Sequence, residues 1–592
     1  MRKEDKQKLK FIKIFKISLI CFVSIFWTAL FLDFRVMFDN NYVNLWVHCP
    51  SIVEENEEFI VDVEAWDQYE RLAGSYTGQV SLDLESYDIE NDFLEVSSVV
   101  WEINETTAYF TSNFKLMGLY PAYKVKGADN GKKEFLVSIS TPGLHYVTVT
   151  DLITNAKFRS NPILVKSEGI EFKRLYWGDI HGHSYFSDGS GHPNDVYKFA
   201  RDVALIDFAA LTDHAEMMAR LGDMDIFNRF TSYKETTNKF NQDGKFTTLI
   251  ALEWTPLIAN LRNYLCTQHM NFYFEGNDMP FFSTFEFDTP DEVYDYIRSQ
   301  IDDKFLAWTH HATRSDYLSD FAFYDDNINT MIEIYSCHGS CEFLGENNLY
   351  KAVHEISEDK SGFSVNDGLK MGRKFGFLAS SDTHDGRLGH NILHTDARAL
   401  NQYPITFSAF RYGVQHRGGL TGLYTDSLSR SNIFHALKNR TGFGTTWINR
   451  HLMDFSINGL RVGEQNSTLS VAAVDTVRDL EIFIAADGLS TSPNTVTKIN
   501  KIQVFKNSEL LNERVVSDFA CNWTFTDTKP LTGTSYDNCI QKADGNWYIH
   551  ARSIKPVDPA ELNTGGADYY YVRFTDSNGG AGWIGPIWVE IA

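Results

Sequence analysis

Between Tyr176 and Glu216 the chain carries two apolar runs, each ending in a knot of imidazole and carboxylate: Y-W-G-D-I-H-G-H-S-Y-F-S-D-G and then F-A-A-L-T-D-H-A-E. Leu205 to Leu211 reads as a buried parallel strand, and a polar residue just past such a strand sits at the mouth of a β/α barrel. Residues two apart on extended backbone point the same way, so His181 and His183 can converge on one ion. Asp188 follows them and Asp213-His214 closes the second run, an arrangement that suits a metal site.

The surrounding region, 172–450, repeats the theme. Apolar strand-like runs at Thr247 to Trp254, His269 to Phe274, Phe305 to His311, Met331 to Ser336 and Phe375 to His384 alternate with helix-compatible segments such as Asp291 to Gln300. This alternation predicts an α/β region with a parallel sheet or barrel. The expected strand ends carry Asp179, His181, His183, Asp213, His214, Glu253, His269, His310, His311, Glu333, Asp382 and His384. A lone polar residue at a strand end needs only a hydrogen-bond partner. So many carboxylates and imidazoles at one face would repel and desolvate each other unless cations compensated them.

The motifs G-D-I-H-G-H-S-x-x-S-D-G, L-T-D-H, a strand-end Glu and S-S-D-T-H resemble those of the PHP superfamily, named for its polymerase and histidinol-phosphatase members. A PHP-like family of bacterial proteins is similar over nearly everything after the N-terminal segment. Its marks are Tyr197 to His214, Glu333 to Ser340, Ser380 to Arg387, Gly418 to Tyr424 and Trp583 to Val589. The resemblance implies a distorted seven-stranded β/α (TIM-like) barrel holding two or three divalent ions, zinc, manganese or iron. Carried over by motif, the ligands are His181, His183, Asp188, His214, Glu253, His269, His310, Asp382 and His384, with Glu253 bridging two ions. His310 rather than His311 holds the ligand position when the strand is kept in register.

The implied activity is a phosphoesterase acting on a small-molecule mono- or diester by attack of a metal-bridging hydroxide. Arg387, close after the last motif, is the candidate for gripping a phosphate oxygen, the other reading being a partner for a ligand carboxylate. His338 or His311 could protonate the leaving group. Hydrolysis of another ester, an amide, a lactone or a sulfate is the rival reading, because activated hydroxide does not by itself select phosphorus. A surface binding protein with a structural metal centre is the non-catalytic alternative, weakened because structural sites need only four ligands.

The flanks change period. From 41 to 171, runs such as Glu57 to Asp67, Gln79 to Leu84 and His145 to Asp151 alternate apolar and polar residues between turns, and 451–592 does the same at Leu452 to Gly459, Leu469 to Asp475, Ile502 to Asn507 and Tyr569 to Asp576. Both are expected to be accessory β-sandwiches. Residues 1–40 form a signal or anchor: Lys-rich Met1 to Lys16 precedes apolar Ile17 to Leu32, which lacks a small-x-small cleavage pattern before Asp33. The segment is read as an uncleaved membrane anchor that leaves the rest periplasmic or extracellular. Cys521 and Cys539 could pair there. The net charge of −24 argues against nucleic acid, whose binding needs clustered Lys and Arg.

Overall fold

The computed structural model describes residues 16–18, 20–24, 41–68, 70–87, 101–103, 107–109, 129–218, 226–256, 268–345, 348–357, 361–391, 416–490 and 492–592. Among these, no helix is long and apolar enough to cross a membrane. Most of the expected anchor, Ile17 to Leu32, lies outside the described residues, as does Cys266. Cys521 and Cys539 do not form the disulfide expected as an option.

Period-2 alternation in the N-terminal region folds as two facing antiparallel-rich sheets. One joins Tyr42–His48, Phe59–Asp67, Lys132–Ile139 and Trp101–Ile103; the other is built around Gly143–Asp151 and Gln79–Tyr87. Along Phe59–Asp67 the first residues alternate, with Phe59, Val61 and Val63 turned into the core between the sheets. The strand then ends fully buried at Trp66 and Asp67, where it meets the central region.

In the central region we label the strands β1 Arg174–Asp179, β2 Phe208–Ala209, β3 Thr247–Thr248, β4 Ile250–Trp254, β5 Met270–Phe274, β6 Phe305–Thr309, β7 Met331–Ser336, β8 Gly376–Ala379, β9 Gly419–Thr425 and β10 Gly442–Thr446. The helices include α1 Pro193–Asp202, α2 Ile226–Phe240, α3 Pro290–Ile301 and α4 Arg430–Lys438. α3 begins with a reciprocal capping box between Thr289 and Glu292 and a proline in its first turn, which fixes its start one residue from the expected Asp291.

The expected distorted seven-stranded β/α barrel is not closed by these strands among the described residues. β1, β2 and β3 pair in parallel, but β5 runs antiparallel to both β4 and β6, and β9 is antiparallel to β1. β7 and β8 form a separate parallel pair. These groups abut, β6 beside β7 and β8 beside β9 and β10, without a hydrogen-bonded ring among the described residues. The physical reason is the reversal at β5 and β9, which interrupts the uniform parallel register that a closed β/α barrel needs.

The expected boundary at 450/451 is not a break in hydrogen bonding either. β10 pairs with Ala581–Ile591, which pairs in turn with Asp568–Asp576, so C-terminal strands extend the sheet that contains β1. A second sheet of four strands is built on Leu452–Ile457, Arg478–Ala485 and Ala520–Asp527. One apolar core runs through all three regions, joining Trp46 and Trp66 to Trp177, Trp254, Leu452 and Phe574. Each such side chain contributes on the order of 1.5–3 kcal/mol when fully buried, enough to dock the flanking sheets firmly.

Candidate metal centre

The loops that follow the strands are stitched to each other before any ion is considered. Asp179, the last residue of β1, accepts from the backbone N–H of Ser381 at 3.0 Å and of Gly389 at 2.8 Å, tying the turn after β1 to the turn after β8. The same turns are zipped by His183 N–H to the Thr383 carbonyl (2.8 Å) and Asp382 N–H to the His181 carbonyl (2.9 Å). Gly182 permits this close approach, since a Cβ there would come within 2.6 Å of Leu388 Cδ1. Asp213 accepts from the backbone and hydroxyl groups of Ser184 and Ser187, which explains both serines of H-S-Y-F-S-D and shapes the loop that presents Asp188.

Strand direction decides which end supplies a ligand. His181, His183, His214, His310, Asp382 and His384 follow the C-terminal ends of β1, β2, β6 and β8, while Glu253 lies within β4. His269 instead precedes β5, and because β5 is reversed its first residues lie at the same face as the ends of β4 and β6.

Glu253 is the hub. Its Oε2 lies 3.4 Å from Nε2 of both His181 and His183, and its Oε1 lies 3.2 Å from His214 Nδ1, 3.5 Å from His310 Nε2 and in contact with His269 Nδ1. Asp382 Oδ1 approaches the same two imidazoles, at 3.3 Å from His181 Nε2 and 3.2 Å from His183 Nε2. On the other side Asp188 Oδ1 lies 3.3 Å from His384 Nε2 and 3.7 Å from His214 Nε2. All nine residues carried over from the family motifs therefore lie in one cluster. His311 also reaches it, with Nε2 4.0 Å from Asp382 Oδ2, whereas His310 faces Glu253 and stacks on His181 at 4.1 Å.

The donor set and its loose ends fit divalent cations. His181 Nε2, His214 Nδ1, His310 Nε2 and both Glu253 oxygens are buried and crowd against one another, with Glu216 Oε1 a further 3.1 Å neighbour of His214 Nδ1, in ion-pair contacts rather than a set of well-aligned hydrogen bonds. Mixed imidazole nitrogen and carboxylate oxygen suits zinc, manganese or iron. Groups of these residues hold ligand atoms within 4.8 Å of one another, among them His183, Asp188, His214 and His384, and also His214, Glu253 and His269.

The electrostatics point the same way. Burial alone would lower the His384 imidazole, but the Asp188 carboxylate outweighs it and brings it up to about 9. Burial likewise opposes the charged forms of His181 and His214, yet Asp382 and Glu253 respectively hold them well above the ordinary range. Glu253 and Asp382 are held well below theirs, against burial, by His214 and His181. Without metal the cluster thus keeps protons on imidazoles to balance its carboxylates, and bound cations would take over that balance and release the protons.

Glu333, a strand-end residue outside the motif-derived ligand set, has a definite place. Its Oε2 lies 2.8 Å from His181 Nδ1, which leaves His181 Nε2 aimed at Glu253 and Asp382. A carboxylate behind a histidine fixes the tautomer and raises its basicity as a ligand.

His338, expected as a leaving-group acid, has both ring nitrogens engaged. Nε2 lies 2.9 Å from Asp382 Oδ2 and Nδ1 contacts Arg314 Nη1. Burial, then the neighbouring Arg314 cation, lowers its imidazole to about 4, so at neutral pH it donates to Asp382 and accepts from Arg314 rather than carrying a labile proton. Burial and His310 also push His311 well down. Arg387, expected near the phosphate, is buried away from such a role: Nε donates to the His390 carbonyl at 3.0 Å, Nη2 to the Glu70 carbonyl, and the guanidinium lies over Phe199.

Among the described residues, a cation that borders the cluster is Arg314. It is buried, lies over the Tyr317 ring and touches His338, and its Nε has no hydrogen-bond partner. Its only sequence signal was position, three residues beyond His311. Asp188, His269, His338 and His384 form the part-exposed rim, His384 being the most open at 24%, above a buried floor of His181, Glu253, His310 and Glu333.

No family model matches the chain. An uncharacterised protein of Chlamydia pneumoniae is 22% identical over 548 residues, covering 92% of this chain and 73% of its own length. One from Chlamydia muridarum is 21% identical over 554 residues, covering 93% and 74%. Among solved structures, a two-domain protein from Bacteroides vulgatus containing a predicted PHP-like metal-dependent phosphoesterase is 14% identical, covers 63% of this chain and 90% of its own, and gives a TM-score of 0.32.

Proposed function

We propose that this chain is a metal-dependent hydrolase that cleaves a small-molecule phosphate ester. The observation that carries the reading is the Glu253 hub: its two buried carboxylate oxygens face imidazole nitrogens brought in by β1, β2, β5 and β6, and Asp382 from the turn after β8 faces His181 and His183. The ligands would be His181, His183, Asp188, His214, Glu253, His269, His310, Asp382 and His384. When bound, divalent ions supply hydroxide at neutral pH and neutralise charge growing on phosphoryl oxygens. The chain's own residues do the rest. Glu333 orients His181, His338 orients Asp382, and Arg314 offers a fixed positive charge beside the rim to a non-bridging phosphate oxygen.

The motifs shared with the PHP superfamily support phosphorus over carbon or sulfur centres. Purified chain should carry at least two transition-metal ions and hydrolyse a member of a phosphomonoester and phosphodiester panel in a metal-dependent way. Metal-free protein, or activity confined to lactones, amides or sulfates, overturns the reading. We further propose that the catalytic region lies outside the cytoplasm behind the apolar Ile17 to Leu32 segment; strong signal from a C-terminal reporter active only in the cytoplasm would refute this.

A further inference from the structure

The segment after β8 that supplies Asp382 and His384 is described as far as Asn391, and residues 387–390 do not rest on the central region alone. Within the loop, Asp385 Oδ1 accepts from Thr383 Oγ1 at 2.6 Å and from the Arg387 backbone N–H at 2.9 Å. Arg387 Nε then returns to the His390 carbonyl at 3.0 Å. These bonds knit 383–390 together, directly after Asp382 and including His384.

A turn of the N-terminal sandwich grips the other end of that unit. Asp67 shapes the turn by accepting from Arg71 N–H at 3.0 Å and Arg71 Nε at 2.8 Å, and Glu70 sits at its tip with a left-handed φ of 56°. The Glu70 carbonyl accepts from Arg387 Nη2. Its carboxylate accepts from His390 Nε2 at 3.0 Å through one oxygen and from Arg417 Nη2 at 2.6 Å through the other. Beside it the Trp66 ring stacks on His390 at 4.4 Å and 22°. Backbone carbonyl, carboxylate and indole from one short turn thus bear on the loop through Arg387 and His390.

We propose that this turn is an external clamp on the metal centre, with Glu70 and Trp66 acting as positioning residues for Asp382 and His384. The inference rests on the metal-centre reading. It assigns the N-terminal sandwich a share in ion affinity and explains why Arg387, adjacent to the ligands in sequence, faces another domain. Outer partners of metal ligands typically carry 10–100-fold in metal affinity. Glu70 acts through intervening residues, so the expected loss is near the lower end, roughly tenfold for the more weakly held ion.

The test uses the full chain and zinc or manganese alone as the probe. Ion affinity is measured by chelator competition for wild type, Glu70→Gln and Trp66→Leu, at a temperature well below each variant's melting point in chelator. The expected result is roughly tenfold weaker affinity in folded Glu70→Gln and a smaller loss in Trp66→Leu. A merely structural role would lower the melting temperature and leave the ion affinity of the folded protein unchanged, and that result overturns the clamp. Should Glu70→Gln not fold, unchanged affinity in Trp66→Leu overturns it equally. A wild type that binds no ion removes the metal-centre reading itself, an outcome distinct from failure of the clamp.

Discussion

Replacing Arg314 with Met should separate substrate recognition from metal binding. Arg314 is buried, its Nη2 lies 3.3 Å from Asp316 Oδ2, its Nη1 contacts His338, and its Nε has no partner. An unpaired buried donor costs on the order of 1–3 kcal/mol, which a phosphate oxygen accepting from the guanidinium would recover. A hydrogen bond to a charged group contributes about 1.5–3 kcal/mol, so Arg314→Met should lower kcat/KM for a phosphomonoester by roughly 10- to 100-fold. The Met stem keeps packing on Tyr317, limiting collapse of the wall. The assay compares an aryl phosphate with an uncharged ester of the same leaving group, alongside metal content. The expected loss falls on the phosphate with the ions retained. An equal loss on both substrates, accompanied by lost metal, would mean that Arg314 acts only through His338 and Asp382. Unchanged kcat/KM on the phosphate with full metal content refutes the clamp on substrate altogether.

Glu253→Gln keeps the shape of the hub but removes the charge that faces His181, His183, His214, His269 and His310. It should weaken ion binding by more than the roughly 10–100-fold expected for an outer partner, measured by chelator competition; wild-type affinity would rule Glu253 out as a ligand. His390 gives a pH signature of domain docking. Burial first, then the nearby Arg387 cation, lowers its imidazole to about 4 even though Glu70 pulls the other way, and Arg417 adds a further positive charge on the Glu70 side. The unfolded state, with an ordinary value of about 6.5, therefore binds the proton first, and stability must fall as pH drops from about 6.5 towards 4. The full effect is on the order of 3 kcal/mol. Denaturation in chelator at pH 7 and pH 5 should show a smaller pH-dependent loss in His390→Gln than in wild type, and parallel losses would show that His390 does not titrate as the fold requires.

What the sequence made legible was the chemistry of the strand ends, and what it hid was their direction. Met331 to Ser336 forms the strand its apolar run implies, and helix α3 starts where its capping residues say it should. The reversal of β5 left no mark in the run His269 to Phe274, because a short buried strand is apolar on both faces whichever way it runs. The same blindness merged the C-terminal strands into a separate sandwich, although β10 and Ala581–Ile591 are neighbours in one sheet. Arg387 misled for a related reason. Proximity in sequence to Asp382 and His384 suggested proximity to the ions, while the turn through Gly386 and Gly389, both with left-handed φ, carries its side chain to Glu70.

Backbone strain adds a constraint that no motif displays. Asp382 and His311 adopt positive φ, at 52° and 35°, a region that side chains with a Cβ seldom occupy and that costs on the order of 1–3 kcal/mol each. Both flank the Asp382 carboxylate, His311 Nε2 lying 4.0 Å from Oδ2. Such conformations persist only where neighbours over-determine them, and here those neighbours are identifiable. Asp382 is held by its N–H to the His181 carbonyl, by His338 on Oδ2 and by the imidazoles of His181 and His183 on Oδ1. The turn after β8 is further fixed by Asp179 and, through Arg387 and His390, by Glu70. Strain at a carboxylate that faces two candidate ion ligands is thus borne by the central region and the N-terminal sandwich together. Residues 382–390 join the Asp382 carboxylate to the N-terminal sandwich, and neither region fixes their conformation by itself.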